Sequence, residues 1–266
     1  MSRKIGFIGT GNMGQAMIKG IISSKIVSSE NILVSDKDTA KLQDVSNKFN
    51  IKGETSNVDL AKNVDILILS VKPNIYKILI DEIKDVIKEE TIIITLAPNL
   101  SLEDLGKMFN KELKIVRSMP NTPAFVGEGM SAIVPNSNIT KEDLDYVFEI
   151  FNSFGKVEVV NENIMSTVVA TSGSSPAYVF ILIEAMADAA VAGGMSRDSA
   201  YKFAAQSVLG SAKMVLETNL HPGILKDMVC SPGGTTIDAV KELEKCGFRN
   251  SIIQAMEVCK NKAKNM

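Results

Sequence analysis

Short apolar runs alternate with amphipathic stretches through the first 160 residues. Lys4–Ile8 reads as a strand and Asn12–Ser23 as a helix, with a second strand at Asn31–Ser35 and a charged helix from Thr39 to Phe49. Val64–Val71 (VDILILSV) is almost continuously apolar, as expected of a strand covered on both faces of a parallel sheet. The same alternation predicts helices at Asn74–Ile87, Leu102–Phe109 and Lys141–Phe151. Further strands are expected at Thr91–Leu96, Lys114–Met119, Met130–Val134 and Val157–Val160. Strands separated by helices imply βαβ units.

The pattern changes near residue 161. From Glu162 onward there is no strand signal, and ten alanines recur with helical period between Pro176 and Val215. Helices are expected at Ala177–Val191, stopped by Gly193-Gly194, and at Ala200–Leu216, capped by Ser196. A short helix to Met228, one to Lys245 capped by Thr235 or Thr236, and a last one to about Lys262 follow. The expected organisation is an α/β domain over residues 1–161 and an all-helical domain over 162–266. An Ala-rich helical half of this kind often forms an oligomer interface.

Composition narrows the class. The chain has 266 residues, 45% of them hydrophobic and 23% charged, which argues against disorder as the main state. Twenty-nine basic against 31 acidic residues provide no basic field for nucleic acid. With no run of ~18 apolar residues, no membrane span is expected. The apolar stretch after Met1-Ser2-Arg3-Lys4 breaks at Gly9, too early for a signal-peptide core. Cys230, Cys246 and Cys259 form no metal or disulfide pattern and read as reduced thiols of a cytoplasmic protein. With His221 as the one histidine, a metal site or a Ser-His-Asp triad is hard to build; this residue reads as structural, in a His-Pro-Gly turn.

Four segments carry chemistry. Gly9-Thr10-Gly11-Asn12-Met13-Gly14 follows a strand and opens a helix, the setting of a dinucleotide pyrophosphate loop. The second strand ends Ser35-Asp36-Lys37. A carboxylate there favours the ribose hydroxyls of NADH, whereas the adjacent lysine suits the 2′-phosphate of NADPH, so the choice between them stays open. Ser70-Val71-Lys72-Pro73 lies beyond the buried fourth strand, where ligands of open α/β sheets bind. Asn57, by itself, reads as the cap of a helix at 58–63. Finally, Ser172-Gly173-Ser174-Ser175-Pro176 and Ser231-Pro232-Gly233-Gly234-Thr235-Thr236 each precede a helix and offer amides and hydroxyls to a small carboxylate.

Together, IGFIGTGNMGQAM, VKP at 71–73, MPNTPA at 119–124, SGSSPAYVF at 172–180 and HPGILKDMVCSPGGTTIDAV at 221–240 resemble pyrroline-5-carboxylate reductase over essentially the whole chain. The resemblance implies a Rossmann-type α/β domain followed by an all-α dimerisation domain. It implies reduction of 1-pyrroline-5-carboxylate to L-proline with NADPH or NADH, the last step of proline synthesis. It also implies a homodimer, in many members a decamer of five dimers. By the same resemblance Gly9–Gly14, Asp36, Asn57, Val71-Lys72-Pro73 and Ala97 are cofactor contacts. Thr236, with the backbone of Thr235 in the Ser231–Gly234 loop, clamps the substrate carboxylate, and Glu162 is the acidic group near the substrate. Many members have Ala-Ala-Gly beside the nicotinamide where this chain has Ala97-Pro98-Asn99, and Pro98 removes a backbone donor. A 3-hydroxyacid dehydrogenase would need a Lys-x-x-x-Asn pair after the glycine-rich loop; here Lys202 is followed by Gln206. A dinucleotide sensor would have no use for two hydroxyl-rich loops.

Overall fold

The computed structural model describes residues 3–265, so Met1, Ser2 and Met266 lie outside the described residues. Two compact units emerge: residues up to Ser174 together with those from Cys259 on, and Ser175–Val258.

The first unit is built on one sheet. Its strands are β1 (Ile5–Ile8), β2 (Ile32–Ser35), β3 (Lys52–Gly53), β4 (Ile66–Leu69), β5 (Ile92–Thr95), β6 (Lys114–Met119), β7 (Gly129–Pro135) and β8 (Gly155–Val159). They lie in the order 3-2-1-4-5-6-7-8. The first six are parallel; β7 runs antiparallel to β6, and β8 runs parallel to β7. Helices α1 (Asn12–Ser23), α2 (Thr39–Phe49), α3 (Asn57–Lys62), α4 (Tyr76–Ile83), α5 (Leu102–Phe109) and α6 (Lys141–Asn152) cover both faces.

Alternation along the strands divides the core. Ile5, Phe7, Ile66 and Ile68 join Met17, Ile18, Leu42, Val147 and Ile150 on one face. Ile8, Leu67 and Leu69 join Leu60, Leu79, Ile80 and Leu105 on the other. Each fully buried aliphatic side chain of this kind contributes roughly 1.5–3 kcal/mol, which is why the central strands read as unbroken apolar runs. Local chemistry sets the helix ends. Asp38 caps α2, and Ser101 and Thr140 form capping boxes with Asp104 and Asp143 at α5 and α6. Asn50 and Asn110 end α2 and α5 in the left-handed conformation.

Two details differ from expectation. Ser56, not Asn57, caps α3, accepting from the Asp59 amide. The helix expected from Asn74 begins as a 3-10 turn at Pro73–Ile75 and becomes α-helical only at Tyr76, because the fixed φ of Pro73 starts the tight turn.

From Glu162 the chain is helical: a 3-10 turn, α7 (Met165–Val168), and a π-type turn at Val169–Gly173. In the second unit, α8 (Ser175–Ala192) and α9 (Arg197–Thr218) pack as a helical hairpin, turned at Gly194 with φ +95°. Ser196 caps α9 by accepting from the Ser199 amide, as its position predicts. His221 caps α10 (Pro222–Val229), its Nδ1 accepting from the Gly223 amide at 3.0 Å. Helices α11 (Thr235–Lys245) and α12 (Phe248–Lys264) complete the chain. This half leaves much apolar surface uncovered: Phe180, Ile181, Phe203 and Leu216 are between 63% and 77% exposed. The helical run Glu162–Ala192 is, by length and composition alone, also apolar enough to cross a membrane.

Candidate functional site

Strand order 3-2-1-4 places the switch point between β1 and β4, so the crevice opens beyond their carboxyl ends. The glycine loop sits there. Gly9 has φ +94°, and a Cβ on it would lie 2.5 Å from the Ser70 carbonyl oxygen. Only glycine satisfies both demands. A Cβ on Gly14 would meet the Gly9 carbonyl and the Ser70 hydroxyl at 3.0 Å, so Gly14 sets how closely α1 approaches the loop. Gly11 differs: the nearest atom to an added Cβ is 4.0 Å away. The protein's own packing does not require glycine at 11, whereas a ligand lying against the loop does. Gly11 caps α1 without any side-chain hydrogen bond, leaving the first amides of α1, from Asn12 and Met13, to an anion.

The end of β2 is more tightly tied than the sequence indicates. The Thr10 amide and hydroxyl donate to Asp36 Oδ2 at 2.8 and 2.7 Å, the Asp38 amide donates to Oδ1, and Lys41 Nζ pairs with Oδ2 at 3.3 Å. Burial pushes the Asp36 carboxyl up, but these donors outweigh it and hold it below the usual carboxylate value. The paired cation is Lys41; Lys37 is exposed. Ser35 donates to Asn57 Oδ1 at 2.7 Å, and Asn57 Nδ2 donates to Glu82 at 3.0 Å. Gly9–Gly14, Ser35, Asp36, Asn57, Val71-Lys72-Pro73 and Ala97 thus follow the carboxyl ends of β1, β2, β3, β4 and β5, on one edge of the sheet. The residues present fit a dinucleotide.

Around the loop after β5 lies a network that sequence reasoning missed. Arg117, in β6 and only 9% exposed, donates from Nη1 to Glu162 Oε1 at 2.8 Å and from Nη2 to the Pro98 carbonyl at 2.6 Å. The Leu102 amide donates to the same Glu162 oxygen at 2.8 Å. Within the first unit Glu162 anchors this network, with its charge balanced by Arg117. The signal was a lone arginine inside an apolar strand, KIVRSM, since a buried charge requires a partner.

The second unit brings Ser231, Gly234, Thr235 and Thr236 together at the start of α11. Gly234, rather than either threonine, is the N-cap; it has no side-chain bond, and a Cβ there would strike the Ser231 hydroxyl. Thr235 and Thr236 are the first helical residues, so their amides have no intrahelical acceptor. The other hydroxyl-rich segment is not an open loop. The Ser172 hydroxyl donates to Val168, its carbonyl accepts from Asn121, and Gly173 packs on Met119.

A mainly parallel sheet of this order, with the glycine turn at its switch point and an acidic residue after β2, defines a Rossmann-type dinucleotide-binding oxidoreductase. Residues 4–98 match the family described as NADP oxidoreductase, coenzyme F420-dependent, and residues 162–266 match the pyrroline-5-carboxylate reductase dimerisation family. The chain belongs to the pyrroline-5-carboxylate reductase family. It is 48% identical over 266 residues to the pyrroline-5-carboxylate reductase of Escherichia coli, covering 100% of this chain and 99% of the relative. To that of Methanosarcina acetivorans it is 44% identical, covering 99% of each. The solved pyrroline-5-carboxylate reductase of Coxiella burnetii superposes with TM-score 0.92 at 34% identity, over 100% of this chain and 98% of that one. The Plasmodium falciparum pyrroline carboxylate reductase, solved with NADP bound, gives 0.88 at 34% identity, over 99% and 97%.

Proposed function

We propose that this chain reduces 1-pyrroline-5-carboxylate to L-proline at the expense of NADPH or NADH, as a cytoplasmic homo-oligomer of dimers with no membrane or nucleic-acid partner. The observation that carries the reading is the open cradle at Gly11 over the uncapped start of α1, in a chain whose relatives share its full length and bear that name. When bound, the reduced nicotinamide supplies the hydride. The protein binds and orients. The free amides of the Gly9–Gly14 loop at the start of α1 hold the pyrophosphate; Ser35, Asp36, Lys37 and Asn57 line the adenosine side; and Val71-Lys72-Pro73 and Ala97 line the remainder. The amides of Thr235 and Thr236, with the Thr236 hydroxyl and the Ser231–Gly234 turn, take the substrate carboxylate, which gains the positive end of the α11 dipole. The ring nitrogen is protonated first, the iminium carbon accepts the hydride, and the resulting amine takes a second proton from solvent, so no enzyme nucleophile is needed. Glu162, the acidic member of the catalytic set with Thr236, favours the protonated form of the ring nitrogen, and its pair with Arg117 fixes residues 98–102. The functional division falls at residues 1–161 and 162–266, the second part serving substrate and dimer.

The test is product formation. Purified protein, 1-pyrroline-5-carboxylate and either reduced cofactor should yield L-proline, one for each cofactor oxidised. Oxidation without proline would overturn the reading.

A further inference from the structure

The segment after β5, Leu96-Ala97-Pro98-Asn99, has to hold its path with one amide fewer than usual, because Pro98 has no N–H. Strands β4 and β5 pair in register as far as Leu69 and Thr95. The next ladder bond, from the Leu96 amide to the Leu69 carbonyl, is stretched to 3.4 Å. The Tyr76 hydroxyl fills this opening. It donates to Leu69 O at 2.5 Å and accepts from the Leu96 amide at 2.9 Å, and the Ala97 amide acts on the same oxygen. Tyr76 is fully buried, and burial raises its phenol well above the ordinary value despite those two amides, so it remains a donor to Leu69 at any working pH. A phenylalanine there would leave the Leu96 amide and the Leu69 carbonyl with only their stretched mutual bond. From the other side, Arg117 Nη2 holds the Pro98 carbonyl, and its Nη1 is fixed on Glu162. The segment's amides are thus held from α4 and its carbonyl from β6.

The six parallel strands form two mononucleotide-binding halves, with β7 and β8 added at one edge, and the glycine loop and Asp36 assign the β1–β3 half to adenosine. The β4–β6 half then receives the nicotinamide, with residues 96–99 forming the rim of β5. We infer that Tyr76 and Arg117 are positioning residues for the nicotinamide half of the dinucleotide site, clamping Leu96–Asn99 from opposite sides. This rests on the dinucleotide reading above, but not on the identity of the substrate.

Two variants, Tyr76→Phe and Arg117→Lys, test it. Each is measured for thermal midpoint and for the Kd of NADPH, NADH and ADP-ribose, the last lacking the nicotinamide. Tyr76→Phe removes only the hydroxyl; Arg117→Lys keeps the charge but cannot reach two acceptors in fork geometry. The expected result is a loss of about tenfold in reduced-cofactor affinity, the size of one buried hydrogen bond, with ADP-ribose affinity unchanged. Amide exchange at Leu96 and Ala97 should also quicken in Tyr76→Phe. Equal weakening of all three ligands, or no weakening of any in a folded variant, would overturn the inference. A wild-type protein that makes no proline would sink the proposed reaction while leaving this binding contrast intact.

Discussion

Thr10 and Asp36, 26 residues apart, are joined twice: the amide and the hydroxyl of Thr10 both donate to one carboxylate oxygen of Asp36, at 2.8 and 2.7 Å. The acidic residue after β2 therefore braces the glycine loop. With Lys41 on the same oxygen, the end of β2 carries a balanced pair of charges rather than a bare carboxylate. Asp36→Ser should shift the ratio of specificity constants toward NADPH by about tenfold or more, because it removes a like charge from beside a 2′-phosphate and frees Lys41 to meet it. If Lys41→Ala in the Asp36→Ser background leaves that shift untouched, Lys41 is not the responsible cation.

Gly11→Val should abolish cofactor binding without unfolding the chain. The added side chain enters space in which the nearest protein atom to its Cβ lies 4.0 Å away, so the collision is with the ligand alone. Fluorescence titration alongside a melting curve checks this. Normal binding by a folded variant would remove the loop from the site.

Assembly follows from the exposed face of the second unit. Phe180, Ile181, Phe203 and Leu216 form more exposed apolar surface than a free monomer tolerates, and the dimerisation family match covers them. Light scattering at micromolar concentration should report a dimer or a larger even assembly. Phe203→Glu should shift the population toward smaller species. A fully active wild-type monomer would contradict the reading.

The acid limb of stability should depend on Asp143. Burial pushes its carboxyl up, but the Lys114 ammonium at 2.6 Å and the Thr140 hydroxyl and amide hold it below the ordinary value of 3.8. A depressed native value means that the unfolded chain takes up the proton first. The stabilisation is complete above 3.8 and is lost as the pH falls through the native value. Asp143→Asn should therefore lower the thermal midpoint at neutral pH, and the gap from wild type should narrow as the pH falls below 3.8. A gap of constant size across that range would show that the charge is not responsible.

Glu162→Gln should cost about 1.5–3 kcal/mol of stability, the scale of a hydrogen bond to a charged group, because Arg117 would be left buried without its counter-charge. Double-mutant cycles with Arg117→Met measure the coupling. Thr236→Ala should act elsewhere, lowering kcat/KM for the substrate about ten- to 150-fold with reduced-cofactor Kd nearly unchanged. A variant that failed to bind cofactor would assign the α11 turn to the other ligand.

Much of this architecture is legible in the residues because the physics is local. VDILILSV can be satisfied only between two covered faces, and a glycine turn between strand and helix has few other uses. Ser196 is a cap by position alone. The tertiary partnerships are not legible in this way. Nothing near Glu162 in the chain points to Arg117, 45 residues away, and nothing near Leu96 points to the Tyr76 phenol. Asn57 could be taken for a cap because Ser56 beside it has the same ability; choosing between them needs the backbone angles at the turn. Gly234, and neither threonine, is the N-cap because its backbone is extended while Thr235 is already helical, and Ser231 leaves no room for a Cβ there; both are visible only once the turn is folded.

The most direct measurement follows the hydride itself. With reduced cofactor carrying deuterium at the transferable C4 position, proline made from 1-pyrroline-5-carboxylate should contain one deuterium per molecule, on the ring carbon of the former C=N bond. Unlabelled proline, or label lost to solvent with no proline formed, would contradict the proposed reaction.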